Sequence, residues 1–347
     1  MKNKYEKRPK VRYDNLNKLF RKKLKNKKKI SFEFFKEVDI LISIIKLIII
    51  LLLIVFIQFI IIKPKILKEK NNKTKIALCT MGRNEILYIK EFVNYYLNLG
   101  VDTLFIYDDN IEEKEKFINV ITPNDSVVIE YTKPLGFSHK RQSFTHCYNK
   151  HKDEYDWILM IDIDEYLIIR NNTLRGYLND KIFDKCDTIK IHWLMARDND
   201  LLYYENKSLF ERFKEETFYP SDHIKTILKG GINNLEYYVH SPLKSPERNI
   251  SCDNKGTILN YTKVNIQSVR PHNTDRAYFI HFYFKSTEEY IRKFKRGYKN
   301  WVPLTLDGWI FNYFKNNKVT IEKIELFEKA FNITLDKYRN KLKKNKY

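Results

Sequence analysis

The sequence predicts an α/β protein: a mostly parallel sheet with helices on both faces, preceded by one transmembrane helix. Three observations lead there. Between residues 76 and 161, short apolar runs alternate with amphipathic stretches of helical period, the pattern of parallel strands joined by crossover helices. Charged residues gather just after those runs, where open sheets of this kind take their ligands. Upstream, residues 40–62 read ILISIIKLIIILLLIVFIQFIII, 23 residues with one charge, Lys46, and one amide, Gln58. A helix of about 20 residues crosses the hydrocarbon of a bilayer, and Lys46 can snorkel to one end.

The elements follow in order. Residues 76–80 are a buried strand, and Met81-Gly82-Arg83 turns the chain. Asn84 can cap a helix over 84–99 that carries Ile86, Ile89, Phe92, Val93, Tyr96 and Leu97 on one stripe and stops at Gly100. Residues 103–107 are a second strand ending in Asp108, Asp109 and Asn110, and 126–131 are a third. A helix over 138–152 leads into a fourth strand, 157–161. Beyond residue 185 the pattern loosens: strands are expected at 188–194, 224–228, 237–240 and 278–284, and helices at 287–298 and 320–345.

The domain organisation is a basic tail over 1–39, the membrane helix over 40–62, a Lys- and Asn-rich stem over 63–75 and one domain over 76–347. The net charge of +21 invites a nucleic-acid reading. Its location argues against one. Residues 1–75 hold 22 Lys/Arg against 6 Asp/Glu, whereas 76–347 hold 42 against 37. Residues 21–39 carry eight Lys/Arg and residues 63–75 six, which puts the N-terminus in the cytoplasm and the domain on the lumenal side. The lysine cluster is a topology signal with affinity for anionic lipid. Seven Asn-x-Ser/Thr sequons, from Asn72 to Asn332, all follow the apolar run and fit a glycosylated lumenal side. Cys79 and Cys147 read as core residues. With Cys186 and Cys252 they show no metal or redox spacing, and four cysteines allow three disulfide pairings.

The run from Tyr155 to Ile169 carries Asp162, Asp164 and Glu165 between apolar walls. Unpaired buried carboxylates are heavily penalised. On a strand, Asp162 and Asp164 would share a face and hold one Mn²⁺ or Mg²⁺ that bridges a diphosphate. Arg83 precedes a helix start, where a cation and exposed N–H groups face phosphate.

The blocks MGRNE (81–85), EFVNYYLNLGVDTLFIYDDN, DWILMIDIDEYL and HFYFKSTEEYIRKFKRG come in one order over about 76–300. In that order they resemble glycosyltransferase family 92 and related family-2-like transferases. The resemblance implies a GT-A fold, an Asp-x-Asp metal motif, a nucleotide-sugar donor, a glycan or glycoconjugate acceptor and an inverting transfer. The single-pass type II layout is similar to that of Golgi and other endomembrane transferases. The family resemblance implies metal ligation by Asp162, Asp164 and His281, and donor contacts from Arg83, Asn84, Glu85, Asp108, Asp109, Lys140, Arg141, Glu165 and Lys285. The segment 192–200 lacks the family's glycines and carries Asp198 and Asp200, which are taken as candidates for the catalytic base. Two other classes compete: a metal-dependent phosphohydrolase or nucleotidyl transferase, and a non-catalytic sugar-nucleotide-binding membrane protein.

Overall fold

The computed structural model describes residues 44–51, 73–131, 139–214, 217–244, 250–259, 268–295 and 305–344, with Arg21 and Lys23. Met1–Lys73 and Thr74–Tyr347 are two separate units. In the first, residues 44–51 are helical with exposed apolar side chains. The rest of the expected membrane span lies outside the described residues, as do most of the basic tail and the stem. Among the described residues no helix is long and apolar enough to cross a membrane.

The second unit opens as the periodicity predicts. Strand β1 (Ile76–Gly82), helix α1 (Ile86–Leu99), β2 (Thr103–Asp108), β3 (Val127–Tyr131), helix α2 (His139–His151) and β4 (Trp157–Met160) follow one another. They form the order β3-β2-β1-β4, and every pairing among them is parallel. Strand alternation divides β1 between two cores. Ile76 and Leu78 pack with Ile89, Phe92 and Tyr96 of α1, whereas Ala77, Cys79 and Met81 pack with Phe144, Cys147 and Tyr148 of α2. Each face of this half-sheet therefore carries one helix. Gly100 ends α1 at φ 107, and its N–H returns to the carbonyl of Leu97, the left-handed stop that glycine permits without a Cβ clash. Asn84 is not the cap. It takes φ 56 one residue before the N-cap position, Glu85.

The sheet then departs from the mostly parallel expectation. It continues through β7 (Tyr219–Lys229), β6 (Thr188–Met195), β11 (Ala277–His281) and β5 (Glu165–Ile169). Strand β7 runs antiparallel to both β4 and β6, and β11 is parallel to β6 but antiparallel to β5. The sheet is mixed. A short helix, α3 (Leu174–Leu178), leads toward β6. Among the described residues the segment joining β6 to β7 holds one four-residue helix, α4 (Leu209–Arg212), so β7 can run back along β6 as a long hairpin partner, with no crossover that would keep it parallel. The expected strand at 237–240 shrinks to β8 (Glu236–Tyr237), paired with β9 (Pro242–Lys244).

Among the described residues, four helices follow β11. The expected helix 287–298 is described over α5 (Thr287–Lys295). The single helix expected at 320–345 is two, α7 (Ile321–Phe331) and α8 (Asp336–Lys344), broken where Asn332 turns left-handed at φ 53. An unforeseen helix, α6 (Leu306–Asn316), precedes them. Their rings, among them Tyr290, Trp309, Tyr313, Phe314 and Phe327, build a third core with Phe284. Two disulfides, Cys79–Cys147 and Cys186–Cys252, join β1 to α2 and the start of β6 to β10 (Ser251–Cys252). Cys79 and Cys147 are therefore buried, but as a cross-link and not merely as core.

Candidate functional site

The carboxyl ends of β1, β4, β6 and β11 open onto a cleft of about 550 Å³. Asp162 and Asp164 lie at its base, although not as alternate residues of one strand. The chain leaves β4 and turns, and the Glu165 N–H donates to the Asp162 carbonyl at 3.1 Å before β5 begins. Same-face strand geometry does not apply to a turn, and the two carboxylates take different cationic partners. A glycine makes room for this turn: a Cβ on Gly82 would stand 2.1 Å from Cδ1 of Ile163.

Asp162 is held by two lysines. Lys140, at the start of α2, pairs with Oδ1, and Lys225 of β7 donates to Oδ2 at 2.9 Å. Lys225 also donates to the Val239 carbonyl at 3.0 Å and stands 3.7 Å from Glu165. Burial alone would raise the Asp162 carboxyl, but the two ammonium groups hold it well below the usual carboxylate range. Burial likewise opposes the charge on Lys225, yet Asp162 and Glu165 keep it above the usual lysine value. Asp164 accepts from Lys293 of α5 at 2.9 Å and lies 3.5 Å from His281 Nε2. Against the opposing effect of burial, Lys293 and His281 keep it ionised.

Glu165 is fully buried, and burial pushes its carboxyl well up. Its Oε2 accepts the Asp162 N–H at 3.1 Å, whereas Oε1 has no hydrogen-bond partner among the described residues; nor has His281 Nδ1. Asp164, Glu165 and His281 each offer a ligand atom, and these atoms lie within 4.8 Å of one another. Two carboxylates and an imidazole are a donor set suited to Mn²⁺, and the two orphaned buried atoms are what an absent ligand would leave. The residues thus fit a divalent ion. The closest set differs from the expected trio in that Glu165 takes the place of Asp162, whose oxygens the lysines hold.

Of the other expected contacts, Arg83, Glu85, Asp109, Lys140 and His281 line the cleft. Arg83 pairs with Asp109, which also meets His139 Nδ1 at 3.1 Å. Glu85 accepts from Lys285 at 2.9 Å. Lys285 itself is not a lining residue. It is buried at φ 54, with its ammonium 3.6 Å from the Tyr88 ring centroid. Asn84, Asp108 and Arg141 are likewise outside the lining. Asp108 is a loop organiser that accepts from the Asn110 and Phe117 N–H groups at 2.9 and 2.8 Å, and Arg141 pairs outward with Glu236 at 2.6 Å.

The two candidate bases sit elsewhere. Asp198 is buried against the C-terminal helices, where it accepts from Tyr313 Oη and pairs with Lys323 at 2.7 Å. Asp200 is half-exposed and meets the same ammonium at 2.8 Å. Neither lines the cleft. Asp198 ties the 196–200 loop to α6 and α7, and Asp200 ties it to α7.

Sequence reasoning overlooks Lys225, Lys293 and the rings of Trp193, His223, His240 and Tyr283, all at or beside the cleft. A signal for Lys225 existed: a lysine inside the apolar run Ile224–Leu228 requires a buried counter-charge. Lys293 and the rings carry no such local mark.

Residues 75–230 match the model of glycosyltransferase family 92. A family 92 protein of Oryza sativa subsp. japonica is 32% identical over 107 residues, covering 30% of this chain and 18% of that protein. One of Arabidopsis thaliana is 28% identical over 112 residues, covering 31% and 19%. The chain thus spans under a fifth of the length of these curated relatives. Among solved structures, S. aureus TarS 1–349 aligns with TM-score 0.30 and 14% identity, over 74% of this chain and 79% of that one.

Proposed function

We propose that this chain, whose residues 75–230 match glycosyltransferase family 92, moves a sugar from a nucleotide-sugar donor to a glycan or glycoconjugate acceptor in the cleft beside Asp164. The observation that carries this reading is a convergence. Asp164 and His281 line the same cleft as Arg83, Lys140 and Lys293, whereas Glu165 is buried beside them outside the lining and Lys225 lies behind Asp162. A donor diphosphate needs such cations, because charge develops on it as the glycosidic bond breaks. Mn²⁺ or Mg²⁺ bound by Asp164, Glu165 and His281 would neutralise part of that charge. Asp162 would then hold Lys140 at the cleft wall toward the diphosphate while buried Lys225 balances its second oxygen, and Trp193 and Tyr283 line the same cleft. The arrangement suits a GT-A-type inverting displacement.

The hydrolase or nucleotidyl-transfer alternative would draw on a second metal group; the described residues hold one. Anchoring through residues 40–62, with the domain lumenal in a Golgi-type compartment, belongs to the same proposal. The two disulfides support it, since they persist in oxidising compartments.

The test uses the purified chain of residues 1–347 with Mn²⁺ and labelled UDP-, GDP- and CMP-sugars. Sugar transfer or release is expected from at least one donor. Asp164→Ala should abolish it and weaken Mn²⁺ binding, read by calorimetry, at least tenfold. Release of inorganic phosphate instead, or turnover unchanged in Asp164→Ala, would overturn the reading.

A further inference from the structure

We propose that His240 is the catalytic base, taking the proton of the acceptor hydroxyl on Nε2; this rests on the transferase reading above. The carboxylates of the cleft are already committed. Glu85 holds Lys285, Asp109 holds Arg83 and His139, Asp162 holds Lys140 and Lys225, and Asp164 holds Lys293. Their oxygens are thus engaged by these partners, whereas the acceptor hydroxyl needs a lone pair that no protein group holds.

His240 is differently placed. Its Nδ1 lies 3.2 Å from the Ile224 carbonyl oxygen. A carbonyl can only accept, so Nδ1 carries the proton and the lone pair of the neutral ring sits on Nε2. No described residue occupies Nε2, and the side chain lines the cleft. The ring is fixed from two sides, its centroid 5.1 Å from Trp193 and 5.9 Å from His223. Its backbone is fixed as well. Lys225 donates to the Val239 carbonyl with the same nitrogen that it gives to Asp162, so one ammonium ties the peptide before His240 to the acidic turn. Neighbouring residues Ile224 and Lys225 of β7 thus set the tautomer and anchor the backbone beside the ring.

The charged groups around the ring are Lys225, Lys140, Asp162 and His223. Burial first, then the two lysines, pushes the imidazole well below its ordinary range and keeps it a neutral acceptor near pH 7. The other two histidines of the cleft serve less well. His281 belongs to the metal group. Exposed His223 meets Ser221 Oγ at 3.2 Å, a hydroxyl that can donate or accept and so selects no tautomer.

In the step, the acceptor O–H bond breaks and its proton passes to Nε2. The oxygen bonds the anomeric carbon as the bond from that carbon to the diphosphate oxygen breaks. That electron pair leaves with the nucleoside diphosphate, and the imidazolium later returns its proton to water.

The test compares the chain of residues 1–347 with His240→Asn and His240→Gly. Asparagine keeps an N–H for the Ile224 carbonyl but offers no basic lone pair. With the donor that the unaltered chain uses, kcat should fall about 10²–10⁴-fold in both variants. The melting temperature of His240→Asn and its affinity for the matching nucleoside diphosphate should hold within about twofold. Added imidazole should restore His240→Gly at least tenfold. A kcat within about threefold of the unaltered chain in His240→Asn, or loss of nucleoside-diphosphate binding without imidazole rescue, overturns the base. If the unaltered chain turns over no donor at all, the transferase reading fails first and the base falls with it.

Discussion

Lys225 is the residue on which the site most depends, because it serves three oxygen groups from inside a sheet. Fully buried on β7, it meets Asp162, Glu165 and the Val239 carbonyl. Removing one partner of a buried ionic cluster leaves the rest uncompensated. Lys225→Met should therefore cost about 3 kcal/mol of stability in urea denaturation, even though methionine fills the volume. A loss below about 1 kcal/mol would mean that Lys140 alone compensates Asp162. At this scale the sequence was readable in kind and not in pairing. Asp162, Asp164 and Glu165 announce themselves as acids between apolar walls, but a turn, not a strand, decides which oxygens converge. The turn depends on Gly82 of another strand leaving space for Ile163.

Among the elements, the loop 196–200 carries the acidic pair expected as candidate bases, and both Asp198 and Asp200 pair with Lys323 of α7, outside the cleft lining. Asp198→Asn should lower stability by about 1–3 kcal/mol, since Tyr313 and Lys323 lose a buried charged partner. Asp200→Ala should keep turnover within about threefold; a 10²-fold loss would return that residue to the chemistry. Elements with local periods were legible: β1 to β4, α1 and α2 emerge within a residue or two of expectation. The later strands were less so. β5 pairs with β11, more than 100 residues away, and no local pattern encodes such a partner. The single terminal helix failed at Asn332, which reads as an ordinary polar residue until its left-handed backbone breaks the run.

For the whole molecule, the disulfides connect stability to compartment. Each spans a separation of 68 or 66 residues, so each restricts the unfolded chain considerably. Loss of the first in a Cys79→Ala/Cys147→Ala double variant should cost about 4 kcal/mol in denaturant titration, and dithiothreitol should then have a smaller destabilising effect than on the unaltered chain. An unchanged midpoint would show that β1 and α2 hold without the bond. By itself the sequence determined the parallel half of the sheet, the helix on each of its faces, the acidic turn and the resemblance to family 92. All of these rest on local periodicity or short blocks, and local order is what periodicity encodes. Only the tertiary structure decided that β7 turns antiparallel, that Glu165 joins Asp164 and His281, that Lys225 and Lys293 neutralise the acids, and that His240 lines the cleft with Nδ1 turned to the Ile224 carbonyl. These depend on charges and carbonyls brought together from distant parts of the chain, where compensation in a buried environment selects the partners.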